Sequence, residues 1–323
     1  MPQPIEAESR IAIAAPPERE RSEPRRRFVD AGPVRIAVHE WGDAFRGRGP
    51  TILLCHATGF HARCWDAVIA RLPGFHILAL DLRGHGASDS APIETWRDFG
   101  ADIVRVLRVL AVDGAIGVGH SLGGHAVTVA AGLAPALFDR LILVDPVILP
   151  PDFYRRGHNP MAAPLSGPHP AARRRRSFAS AREMYDLLSP RSPYAVFERR
   201  VMEDYCRHAL VPAASGDGLE LCCAPEFEAS VYMLGVSNTR IHETVRTIAC
   251  PVTVMRGMEP RGDEDRASFL FSPTWPGLAA AFPRGADVPL PGLTHFIPMQ
   301  APAETARIIL AAIGGTEAGQ REA

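Results

Sequence analysis

Short, uninterrupted apolar runs alternate along this chain with stretches whose apolar positions recur at helical spacing. Residues 51–56, 75–81, 116–119, 141–146 and 252–257 are apolar at nearly every position, the pattern of strands buried on both faces. An alternating segment at 34–39 precedes them and a weaker strand pattern at 287–290 follows. Residues 65–72, 95–112, 126–131 and 303–313 read as helices. In 95–112, Phe99, Ile103, Val106, Leu107 and Leu110 share one face, with Arg97, Arg105 and Arg108 off it. Strands alternating with helices predict an α/β chain with a mostly parallel sheet covered on both faces.

The alternation stops between residues 147 and 248. That segment is rich in proline and basic residues, and its apolar runs look helical, most clearly at 193–210 and 224–235. The expected organisation is a core of residues 28–146 and 249–323, interrupted by a helical insertion at 147–248. Residues 1–27 are rich in Pro, Glu and Arg and end in Arg25-Arg26-Arg27; they read as a disordered leader.

A chain of 323 residues with 46% apolar content can bury a large core. The net charge of −1 argues against nucleic acid or an acidic membrane as principal partner. All 35 basic residues are arginine, which reads as genome composition. The six cysteines form no C-x-x-C pair and no metal-ligand spacing, so reduced, packed thiols are expected. No apolar run approaches the ~20 residues that span a bilayer, and the first 27 residues lack the apolar middle of a signal peptide. A cytoplasmic protein is expected; oligomeric state is not legible.

The chemistry concentrates at Gly119-x-Ser121-x-Gly123, where the strand pattern of 116–119 meets a small-residue turn and then an Ala-rich helical run. Strand, G-x-S-x-G and helix in that order form a nucleophile elbow. The bend leaves no room for bulky neighbours, hence Gly119, Gly123 and Gly124. The helix N-terminus behind the serine favours developing negative charge.

Taken with His56 and its small-residue loop, Asp81-x-Arg83-Gly84-x-Gly86-x-Ser88, and Thr294-His295-Phe296 near the C-terminus, the elbow makes residues 30–314 resemble an α/β-hydrolase-fold protein. The resemblance implies an α/β-hydrolase fold, with 147–248 as the cap insertion. Ser121 would be the nucleophile and His295, on a loop after the last strand, its base. Of the other histidines, His120 would pack beside the nucleophile or meet substrate, and His85 and His125 would be structural.

The sequence leaves the acid open. The family usually places it a few residues after the strand at 252–256, but the usual Gly-x-x-Asp spacing lands on Pro260. Glu259, Asp263 and Asp265 lie nearby in a densely charged loop. Asp145 ends the apolar strand at 141–144, where a buried carboxylate needs a partner, and it is the preferred candidate. For the oxyanion hole, the N–H of Leu122 is one expected donor and that of Thr58 the other, with Ala57 and Phe60 as alternatives.

A serine rather than an aspartate nucleophile points to acyl transfer. The expected function is cleavage of a small to medium apolar carboxylic ester through an acyl-enzyme. Carbon–carbon bond hydrolase, thioesterase or lactonase activity could use the same triad, and a non-catalytic ligand-binding protein of this fold is the reading from another class. No P-loop, dinucleotide fingerprint or H-E-x-x-H is present, so neither cofactor nor metal is implied. The partner is expected to be a small ester-like molecule. Tyr, Phe and Met residues of the insertion suggest an apolar pocket, and Arg173 to Arg176 read as a solvent-exposed run.

Overall fold

The apolar runs pair edge to edge. In the computed structural model, which describes residues 22–162 and 168–314, eleven strands are seen among the described residues. They are β1 (Arg25–Asp30), β2 (Arg35–Trp41), β3 (Thr51–Cys55), β4 (His76–Leu80), β5 (Ala115–His120), β6 (Phe138–Val144), β7 (Ser177–Phe178), β8 (Leu210–Pro212), β9 (Leu219–Leu221), β10 (Val252–Arg256) and β11 (Gly285–Pro289). Eight form one sheet in the order β1-β2-β4-β3-β5-β6-β10-β11. The pairs β1–β2 and β2–β4 are antiparallel, and the others are parallel.

The period of two places successive residues of each central strand on opposite faces. In β3, Leu53 and Cys55 enter one core with Phe99, Ile103 and Val127 from the helices Arg97–Val109 and Leu122–Leu133. Ile52 and Leu54 enter the other core with Trp65, Val68 and Ile309. Every residue of β3, β4 and β5 is buried, which explains why these strands lack polar alternation.

The edges differ. Only Val29 of β1 is fully buried, and β11 is exposed at four of its five positions. Charged or exposed residues along an edge discourage pairing with another chain. The leader boundary therefore needs correcting: Arg25, Arg26 and Arg27 are the first half of β1, paired with Glu40, His39 and Val38. Their charge suits an edge strand as well as an unstructured tail, so composition alone could not tell the two apart. Most of the expected leader lies outside the described residues.

The segment between β6 and β10 is not purely helical. It holds the helices Pro151–Arg156, Ala181–Leu188, Arg199–His208, Pro225–Met233 and Ile241–Thr247, together with a small antiparallel sheet in the order β7-β9-β8. Strands of two or three residues are too short to leave a periodic signal. The helix expected at 193–210 is broken by extended backbone at Phe197 and Glu198. A third apolar cluster joins this segment to the core, with Phe178, Met184, Phe197 and Tyr205 packed among Ala57, Phe60, Phe296 and Met299.

Candidate active site

β5 runs straight into the bend. Its last residue is His120, and Ser121 stands next with φ 57° and ψ −117°, immediately before the helix Leu122–Leu133. A non-glycine residue there carries backbone strain, and the turn is held from several sides. The Ser121 N–H donates to the Val144 carbonyl at 3.1 Å, and its own carbonyl accepts from His125 and Val147, each at 3.2 Å. A Cβ on Gly123 would overlap the Cys55 carbonyl at the end of β3, and one on Gly119 would overlap the Gly123 carbonyl. The two flanking glycines are thus required by close backbone approach.

His295 Nε2 lies 3.0 Å from Ser121 Oγ, and His295 Nδ1 lies 2.7 Å from Asp145 Oδ2. A carboxylate facing Nδ1 fixes the proton there and leaves Nε2 as the acceptor for the serine hydroxyl. Asp145 is fully buried and follows β6 with φ 45°. Its Oδ1 accepts from the Gly257 N–H at 3.0 Å and from the Ser272 hydroxyl, while the Thr274 hydroxyl donates to the Pro146 carbonyl at 2.7 Å and lies 3.3 Å from the same Oδ1. These donors satisfy the lone pairs of a carboxylate that burial removes from water.

Of the candidate acids, Asp145 alone meets His295 among the described residues. Glu259 is largely exposed and accepts from Arg256 at 2.7 Å. Asp263 pairs with Arg266 at 3.3 Å at the surface, and Asp265 pairs with Arg261. Ser272, Thr274 and the Gly257 N–H were not anticipated. They come from the loop after β10, which also carries Glu259, Asp263 and Asp265, and the sequence offers no periodic signal for them.

His120 is fully buried, and its Nε2–H donates to the His295 carbonyl at 2.9 Å. Burial pushes its pKa well below the ordinary histidine value, so the ring stays neutral. It supports the His295 backbone.

The loop after β3 is shaped by two neutral histidines. His56 Nδ1–H donates to the Ala57 carbonyl at 2.7 Å, and its Nε2 accepts from Leu82 at 2.9 Å. His85 Nε2 accepts the Gly59 N–H at 3.0 Å. Burial brings the two rings down to about 3 and about 4. With the Phe60 N–H donating to the Ala57 carbonyl at 3.1 Å, neither Gly59 nor Phe60 has a free N–H. The Thr58 N–H has no bond within the protein among the described residues, and neither does that of Leu122, the first residue of the following helix. His125 lies apart, donating from Nδ1 to the Val147 carbonyl at 3.0 Å.

Thr58, Ser121 and His295 line a narrow slot that shares Thr58, Met161, Tyr232, Ala267 and Phe269 with a larger cavity of about 450 Å³. Apolar side chains make up most of the lining of that cavity, with a charged patch at Arg174 and Glu228. Arg174, read as part of a solvated run, turns inward to pair with Glu228 and the Tyr205 hydroxyl, while Arg173, Arg175 and Arg176 stay exposed.

The sequence matches the model of the alpha/beta hydrolase family over residues 52–308. The chain belongs to that family. Among its relatives, the Mycobacterium tuberculosis protein named Esterase Rv0045c is 34% identical over 174 residues, 51% of this chain and 53% of the esterase. The 2-(acetamidomethylene)succinate hydrolase of Mesorhizobium japonicum is 35% identical over 123 residues, 37% of this chain and 42% of that enzyme. An uncharacterized M. tuberculosis protein, Rv2715, is 42% identical over 112 residues, 33% of each chain. The matched segments thus span between a third and about half of these relatives. A solved structure of E-2-(acetamidomethylene)succinate hydrolase superposes with TM-score 0.67 at 23% identity, covering 90% of this chain and 98% of the other. That likeness speaks to the hydrolase fold. No helix among the described residues is long and apolar enough to cross a membrane.

Proposed function

We propose that this alpha/beta hydrolase is a serine hydrolase cleaving a small to medium carboxylic ester through an acyl-enzyme on Ser121. One observation carries the reading: Asp145, His295 and Ser121 form a buried relay with contacts of 2.7 and 3.0 Å. His295 Nε2 takes the hydroxyl proton as Ser121 Oγ attacks the carbonyl. Asp145 holds the ring and stabilises the imidazolium. The negative charge on the carbonyl oxygen is met by the N–H groups of Leu122 and Thr58, an arrangement whose loss costs about 3 kcal/mol per donor in the transition state. His295 then protonates the leaving alcohol, and a water deprotonated by the same ring releases the acid. The segment 147–248 serves as a cap, since its residues Met161 and Tyr232 line the slot that holds Ser121. An ester is favoured over other acyl compounds because a relative carries the name esterase.

A fluorophosphonate probe tests this directly. The wild type should be labelled and Ser121→Ala should not, with hydrolysis of p-nitrophenyl esters falling at least ~10³-fold in the variant. Folded wild-type protein that resists labelling between about pH 6 and 9 would instead mark a ligand-binding member of the family that lacks turnover.

A further inference from the structure

The cavity beside Ser121 carries a built polar patch. Phe60, Met161, Phe269 and Phe296 supply apolar lining, but Arg174, Glu228, Tyr194 and Tyr232 line the same space of about 450 Å³. The Arg174 side chain is 20% exposed and that of Glu228 6%. Arg174 donates from Nη1 to Glu228 and from Nη2 to the Tyr205 hydroxyl, the latter at 2.8 Å. A guanidinium has five N–H donors, so these contacts leave most of its hydrogen-bonding capacity for a ligand. The hydroxyls of Tyr194 and Tyr232 have no protein partner among the described residues. Donors facing an accessible cavity are satisfied by water or by whatever displaces it.

The charge balance narrows the ligand. A Cβ on Gly59 would overlap the Glu228 carboxylate, so Glu228 lies against the loop that carries Thr58. Unpaired, it would oppose negative charge growing on a scissile oxygen held there. Arg174 cancels it. A substrate carboxylate bound at Arg174 would either displace Glu228 or leave an excess negative charge in a poorly solvated space, and both are costly. A neutral acceptor uses the spare donors without disturbing the pair.

We propose that Arg174, with Tyr194 and Tyr232, forms a specificity subsite for an uncharged carbonyl group on the acyl chain of the substrate, a ketone or an amide. This rests on the serine-ester reading above and names its substrate class. Energy gained on the acyl side acts in both acylation and deacylation, because that portion stays bound through both steps.

The test uses p-nitrophenyl esters of graded length whose acyl chains end in acetyl, isopropyl or carboxylate, three groups of nearly the same shape. At the best length, wild-type kcat/KM for the acetyl-ended chain should exceed that for the isopropyl-ended chain by about tenfold, the worth of one well-made hydrogen bond, with the carboxylate-ended chain lowest. That ratio should fall towards one in Arg174→Met/Glu228→Met, which removes both charges together. It should also fall in Tyr194→Phe/Tyr232→Phe, which keeps the rings and stands in if the first variant fails to fold. A wild-type ratio at or below one, a preference for the carboxylate, or a ratio unchanged in the phenylalanine variant overturns the subsite while leaving the serine hydrolase intact. Absence of turnover on every ester overturns both.

Discussion

The imidazole of His120 donates from Nε2 to the backbone carbonyl of His295 at 2.9 Å. The residue before the candidate nucleophile therefore holds the main chain of the candidate base. Both ends of the Ser121–His295 contact are tied to one buried ring, and a misplacement of well under an ångström matters to proton transfer. His120→Leu should lower kcat by about tenfold with KM little changed, the pattern of a lost transition-state interaction. His120→Gln, which retains a donor, should recover most of that loss. Equal losses in both variants, or a loss confined to KM, would remove the positioning role.

Asp145→Asn presents a side chain of the same shape, but its amide nitrogen can turn toward His295 Nδ1 and favour the wrong tautomer. A loss of about 10³-fold or more in kcat is expected, with KM nearly constant. Glu259→Gln should stay within about twofold, as befits a largely exposed residue whose side chain meets Arg256 and not His295. Steady-state kinetics on one ester measures both. A large loss in the Glu259 variant with a small one in the Asp145 variant would move the acid to the loop after β10.

How far the sequence carried the reading depends on the kind of signal each feature leaves. The central strands were legible because burial on both faces removes polar residues altogether, as in Ile52 to Cys55. The bend at Ser121 was legible because close backbone contact dictates glycine at fixed offsets. Asp145 was preferred over Glu259 because it ends an apolar strand, and that is where His295 meets it. The contacts of Ser272 and Thr274 with Asp145 span 127 and 129 residues, and no local pattern encodes them. Arg174 was misread for a related reason. Its neighbours are solvated, and only the tertiary placement of Glu228 and Tyr205 turns one arginine of four inward. The strand β1 was hidden because an exposed edge and an unstructured tail share one composition.

The glycines of the bend yield a stability prediction. A methyl group at residue 123 would overlap the carbonyl of Cys55, which is backbone and cannot swing aside. Gly123→Ala should therefore push β5 and its helix away from β3, costing about 2–4 kcal/mol and displacing Ser121 from His295. Thermal melts should show a clear drop in Tm, and fluorophosphonate labelling of the remaining folded protein should be slowed. Gly292→Ala is the control: nothing lies within 4 Å of its added methyl, and its Tm should be nearly unchanged. A wild-type Tm in the Gly123 variant would show that the bend has room to spare.

Buried histidines, His56, His61, His85 and His125 among them, should make the fold sensitive to acid. Burial brings His56 down to about 3, and His61, His85 and His125 to about 4. In the unfolded chain each imidazole titrates near its ordinary value of about 6.5. Between those values the unfolded state binds more protons than the folded one, so stability rises with pH through that window and falls as the solution is acidified. The contribution is fully present above about pH 6.5 and is lost progressively towards pH 4, each residue supplying up to ~1.4 kcal/mol per pH unit. A urea titration at about pH 5 should accordingly show a midpoint well below that at about pH 7. Its pH slope should correspond to several protons taken up on unfolding, well before exposed carboxylates titrate. Equal midpoints at the two pH values would mean that these rings take up protons in the folded protein by about pH 5, and that the Gly59–His85 and Leu82–His56 bonds, which require an unprotonated nitrogen, are broken there.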